Sequence, residues 1–194
     1  MSTRDRLLRA AAELIEDSGY AHASVGAVAE RAGLAAGALY RHFPSKAELF
    51  ATVFRAEAER ELAAMVAAAG RSSDFPDRLD AVISTYATGA LGNRRLAWAL
   101  VYEPVDALVD AERLTYRRRY RDGMAELLRE GVRAWAIPEQ DVDLAAAAVV
   151  GAIAEALVGP LSPVAGATPP DAQIIDAIIA FCRRAVGLPV VSRA

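Results

Sequence analysis

Apolar residues recur along this chain at intervals of three and four, the period of an α-helix, and strictly alternating apolar runs are scarce. Leu7, Ala11, Leu14 and Ile15 form one stripe, preceded by Ser2 with Asp5 three residues on and closed by Gly19; this spacing predicts a capped first helix. Val25, Val28, Ala29 and Ala32 follow the N-cap residue Ser24, and Gly33 sits where a short helix must turn sharply. A second short helix is expected to stop near His42, because Pro44 disfavours helix at Phe43. Ser45 and Glu48 make a capping box for a long helix running to about Ala69. After a loop at residues 70–74, further helices are expected over 76–90, 94–102, 106–135, 140–158 and 173–186. The pattern predicts an all-α chain of about nine helices.

Two short helices joined by a tight glycine turn and handing over to a longer one have the layout of a DNA-binding helix-turn-helix. The residues that fill it are specific: Ala29, Ala32-Gly33-Leu34, Gly37, Leu39-Tyr40, His42-Phe43, Ser45-Lys46 and Leu49. In this arrangement the segment from near Arg4 to Phe50 resembles the DNA-binding domain of TetR-family transcriptional regulators, whereas the rest of the chain matches that family in helical layout alone. The resemblance implies a helix-turn-helix domain over residues 1–47, with its motif at 24–43, and a ligand-binding and dimerisation domain over 48–194. It further implies a homodimer that binds a palindromic operator in double-stranded DNA, and a repressor released from that operator by a small-molecule effector.

Within the motif, Ser24 caps the first helix, and Ala35, Ala36, Gly37 and Ala38 open the second, the one expected in the major groove. Family members often carry a polar residue at the positions of Ala35 and Ala36. Alanine can touch a thymine methyl but donates no hydrogen bond, so base preference is expected to rest on Arg41, methyl contacts and DNA shape. Tyr40, His42 and Lys46 are the phosphate candidates, with Lys46 in the first turn of the long helix. Arg4 and Arg6 could add phosphate contacts or simply form a solvated face.

Composition changes this picture little. Net charge is −3, but residues 1–46 hold six basic and five acidic side chains, so the head carries +1 and the remainder −4. That split permits DNA binding without arguing for it. The single Cys182 allows no intrachain disulfide, and charges throughout the first 19 residues are unlike a signal peptide. The longest apolar run, residues 144–154, is short of the roughly 20 needed to span a bilayer, so a cytoplasmic protein is expected. His22, His42 and Cys182 lack metal-ligand spacing, and neither a Gly-rich phosphate loop nor a nucleophile–base signature occurs; no enzyme, metal or cofactor is expected.

In the body, Tyr86, Trp98, Tyr102 and Glu103, with Tyr120 and Met124, could line a pocket for a hydrophobic effector; ordinary core packing is the competing reading. The run Arg117-Arg118-Arg119-Tyr120-Arg121 spreads around a helix axis and reads as a solvated face. Ala148, Gly151, Ala152 and Glu155 of the penultimate helix, with Ile175, Ile178 and Cys182 of the last, are the expected dimer interface by resemblance. Two rivals remain at this point: a helical small-molecule carrier or enzyme whose DNA-binding head no longer works, and an adaptor acting through its alanine-rich last helices.

Overall fold

A computed structural model describes residues 2–164 and 166–189, together with the backbone but not the side chain of Ala36. Among them are nine α-helices and no strands: α1 (Thr3–Ser18), α2 (Val25–Arg31), α3 (Ala36–Tyr40), α4 (Lys46–Ala69), α5 (Phe75–Gly92), α6 (Arg94–Val101), α7 (Ala107–Arg133), α8 (Val142–Leu161) and α9 (Asp171–Ala185). The start and stop signals act as expected. Ser2 and Asp5 close a reciprocal capping box on α1, Ser24 Oγ accepts from the Ala27 N–H, and Ser45 Oγ accepts from the Glu48 N–H at 3.1 Å. Gly19 and Gly33 take φ of 80° and 65°, the left-handed values that stop α1 and turn α2 into α3.

Two compact units form, Met1–Arg60 with Asn93–Tyr116, and Glu61–Gly92 with Arg117–Ala194. The predicted head of residues 1–47 thus lies inside the first unit, which also takes the first part of α4, all of α6 and the start of α7. In that unit Leu7, Ile15, Leu39, Phe43, Leu49 and Phe50 are almost wholly buried, each side chain contributing about 1.5–3 kcal/mol of hydrophobic burial. Tyr20 meets Phe50 edge-on with ring centroids 4.9 Å apart.

In the second unit α5 packs on α8 and α9, which pack on each other. Arg183 of α9 donates two hydrogen bonds of 2.8 Å to the Asp80 carboxylate of α5, and that hydrogen-bonded carboxylate raises the guanidinium pKa above its ordinary value. Gly131 lets α7 approach Phe75, since a Cβ there would lie 2.6 Å from the ring. Gly131→Ala is therefore expected to lower stability by about 1–3 kcal/mol through overpacking, read as a shift in denaturant midpoint.

Three expectations are corrected. Helix α8 continues through Pro160 to Leu161, three residues beyond the predicted end; the proline forgoes one i→i−4 bond, and the helix ends one residue after it. An 18-residue window of α8 has a mean hydropathy of 2.0, so by length and composition the helix could cross a membrane; the apolar run counted in the sequence stopped at Glu155, which the helix carries on past. Trp135, predicted as the last residue of the helix over 106–135, instead stands beyond the C-terminus of α7 at φ 59° and is 93% exposed. The Ala136 N–H reaches back to the Gly131 carbonyl at 2.9 Å, so Trp135 occupies the left-handed capping position usually given to glycine.

Candidate functional site

The head is built to hold α3, a helix of only five residues. Its N-cap, Ala35, makes no side-chain capping bond, as the missing hydroxyl implies. What holds α3 is burial of Leu39 and Ala38 on its inner side, together with the turn before it. There the Arg6 guanidinium donates to the carbonyl of Ala32 and, at 3.5 Å, to that of Gly33. Arg6 is thus committed to the turn rather than to phosphate. Arg4 is exposed, its guanidinium 5.1 Å from the Phe43 ring centroid.

With the inner side buried, Ala35, Gly37, Tyr40, Arg41 and His42 are left exposed, and Ser24 is exposed at the start of α2. Tyr40 is 59% exposed and is not a core residue. Ala38, expected among the groove residues, is 6% exposed and supports α3 from within. The Ala36 side chain lies outside the described residues. Lys46 holds its ammonium 4.8 Å from the Tyr20 ring centroid and 5.5 Å from that of Phe50. Its charge is available to an incoming phosphate, but only against that aromatic seat.

A second set of contacts, not foreseen in the sequence, braces the head from the connection between α6 and α7. The Tyr20 N–H donates to Glu103 at 2.7 Å, and the Tyr20 hydroxyl donates to Asp106. Burial, followed by the hydrogen bond to Asp106, raises the Tyr20 pKa well above its ordinary value. Gly19 makes room for Glu103, whose carboxylate would lie 2.7 Å from a Cβ at that position. Arg113 donates to the carbonyls of Ala99, Leu100 and Glu103, closing the end of α6, and burial lowers its pKa.

Within the second unit lies a cavity of about 510 Å³. Tyr86, Tyr120 and Met124 line it as expected, joined by Leu62, Met65 and Val66 of α4 and by Val150 and Ile153 of α8. Trp98, Tyr102 and Glu103 do not line it. They belong to the first unit, where Trp98 and Tyr102 pack on each other at 5.0 Å and Glu103 holds Tyr20. The sequence offered no means of separating these aromatics, because periodicity along one helix does not say which unit will cover its face.

A family model described as bacterial regulatory proteins of the tetR family matches residues 7–53, the segment that builds this head. This head is thus similar to the DNA-binding domain of the tetR family. Among curated relatives, the HTH-type transcriptional activator FasR of Mycolicibacterium smegmatis is 34% identical over 83 residues, covering 43% of this chain and 38% of that protein. The HTH-type transcriptional repressor KstR of Rhodococcus jostii is 46% identical over 57 residues, covering 29% and 27%. The matches thus span well under half the length of these two relatives. The fold as a whole matches the transcriptional regulator FadR of Bacillus subtilis, solved in complex with stearoyl-CoA, at a TM-score of 0.72, 21% identity and coverage of 98% and 99%. Beyond the head the likeness is one of all-α fold alone.

Of the residues expected at a TetR-type dimer interface, Ala148 and Glu155 are exposed and Gly151, Ala152 and Ile175 half-buried. Ile178 and Cys182, at 5% and 0% exposure, instead pack inside their own unit, because they fall on the face of α9 that the unit's core covers. Burial pushes the Cys182 thiol up to about 11. Its raised folded-state pKa contributes stability in full below pH 9.0, the ordinary value, and loses it as pH rises through about 11. Cys182 in the folded protein is expected to resist maleimide at neutral pH and to react only at the rate of unfolding; labelling followed by mass spectrometry checks this. Fast labelling would place the thiol at the surface.

Proposed function

We propose that this chain is a homodimeric transcriptional regulator that binds a palindromic operator through α3 and is released when a small molecule enters the body cavity. The observation that carries the reading is α3 itself, a short helix seated on buried Leu39 and Ala38 that leaves Tyr40, Arg41 and His42 free to meet DNA. Tyr40 and His42 serve as phosphate donors, Arg41 reads a base edge, and Ala35 meets thymine methyls. Lys46 adds charge at the backbone.

Two readers on a two-fold operator need a dimer, and α8 and α9 supply its surface. Leu144 at 67% exposure and Phe181 at 51%, with Ala148 and Gly151 allowing close approach, are better covered by a second copy than left in water. Such a protein works in the cytoplasm beside its DNA. Helix α4 connects effector to reader in sequence: its last turns line the cavity through Leu62, Met65 and Val66, and its first turn carries Lys46. Ligand contact at one end alters the separation of the two recognition helices from the roughly 34 Å that matches successive major grooves. FasR is named an activator and KstR a repressor, and we assign repression here.

Fluorescence anisotropy on operator and on unrelated duplex tests the residue roles. Tyr40→Phe is expected to weaken both by about 1 kcal/mol, the worth of one hydrogen bond. Arg41→Ala should cost about 1–3 kcal/mol on the operator and less elsewhere, relaxing base preference. Equal loss on both duplexes for Arg41→Ala would make it a phosphate contact.

A further inference from the structure

We propose that the body cavity selects uncharged, largely hydrocarbon molecules of about 10–15 non-hydrogen atoms and discriminates against acids and amines of the same length. The proposal rests on the reading of this cavity as the effector site and adds the chemistry of what enters it. Size comes from the volume: about 510 Å³ has room for a ligand of roughly this size, at about 30 Å³ for each water-sized unit.

Charge selectivity comes from the partners of the polar lining. Arg78 is ion-paired with Glu130, and Glu126 accepts from Arg129 and Arg133, both at 3.3 Å. The Tyr120 hydroxyl donates to Glu61. Arg119 and Tyr86 are engaged as well. The two arginines and two glutamates among the lining residues cancel, and the remaining walls are chiefly aliphatic.

A carboxylate entering this space would have to draw Arg78 from Glu130. That displacement leaves Glu130 one helical turn from Glu126, two like charges facing the new anion. An amine meets the converse problem at Arg78 and Arg119. Each ion therefore gives up its water without a vacant counter-charge, whereas an alcohol or ketone keeps one hydrogen bond and buries its chain. The exposure of the Arg78 and Glu130 side chains, 26% and 37%, reduces this penalty but leaves its sign unchanged.

Isothermal titration of the full-length protein with 1-decanol, decanoate and decylamine at neutral pH and equal ionic strength tests the proposal. Decanol is expected to bind about tenfold or more tightly than either ion. Glu130→Gln, which leaves Arg78 without its carboxylate, should strengthen decanoate binding and leave decanol binding unchanged. Val150→Trp should abolish decanol binding by filling the cavity, while retained DNA binding reports an intact fold; Leu62→Phe is a second blocking variant. Decanoate or decylamine binding as tightly as decanol, or no binding by any probe, would overturn the proposal. Decanoate that binds tightly and releases DNA would sink the charge selectivity and leave the effector reading standing. Decanol that binds without affecting DNA would do the reverse.

Discussion

Truncating Leu39 to alanine is expected to destabilise the head by about 2–5 kcal/mol and to abolish DNA binding. Leu39 is fully buried and is the chief apolar anchor of a helix with five residues and no N-terminal cap. So short a helix has almost no stability of its own, so α3 exists only where tertiary packing holds it. A cavity beneath it removes that support. Hydrogen exchange should show faster exchange in α2 and α3 with α8 and α9 unchanged, alongside loss of binding to every duplex. Retained operator affinity in Leu39→Ala would mean that α3 is held by contacts other than its core face.

The second large effect is at Asp80. Removing its carboxylate by Asp80→Ala leaves Arg183 charged and nearly buried without its partner, which is expected to cost about 3 kcal/mol. The Arg183 and Asp80 side chains are 10% and 21% exposed, so solvent relieves part of the loss and keeps it near that value. Pairing Asp80→Leu with Arg183→Met should restore much of the stability, since replacing both members removes the stranded charge. Denaturant midpoints of the single and double variants decide the matter. Equal destabilisation by both would show that packing, rather than the charge pair, carries the stability there.

Much of the fold was legible because its punctuation is local. Ser2, Ser24 and Ser45 cap helices through their own hydroxyls, and Gly19 and Gly33 stop them through their own dihedrals, so neighbouring residues suffice to place them. The residues proposed to face DNA, Tyr40, Arg41 and His42, could be picked out for the same reason, as they sit in a motif of fixed spacing, and all three are exposed. Ala38 was misread because five residues give too little periodicity to tell the inner side of α3 from the outer.

Long-range pairings were not legible. Glu103 looked like a polar group for a pocket and instead holds Tyr20, a partner 83 residues away. Ile178 and Cys182 looked like interface and are core, because an apolar residue on α9 carries no mark of whether its own chain or another will cover it. Trp135 was expected inside its helix and stands exposed beyond it, since helical periodicity says nothing of the residue that breaks the helix.

The central claim, sequence-specific DNA binding through α3, is tested most directly by incubating the purified full-length protein with fragmented genomic DNA and sequencing what it retains. The account predicts enrichment of one short palindrome with half-sites about one helical turn apart, lost with Tyr40→Ala and diminished when the cavity ligand is added. Recovery of nothing above background at low salt, from protein that is folded and binds decanol, would contradict it; the chain would then be a ligand carrier with a silent head.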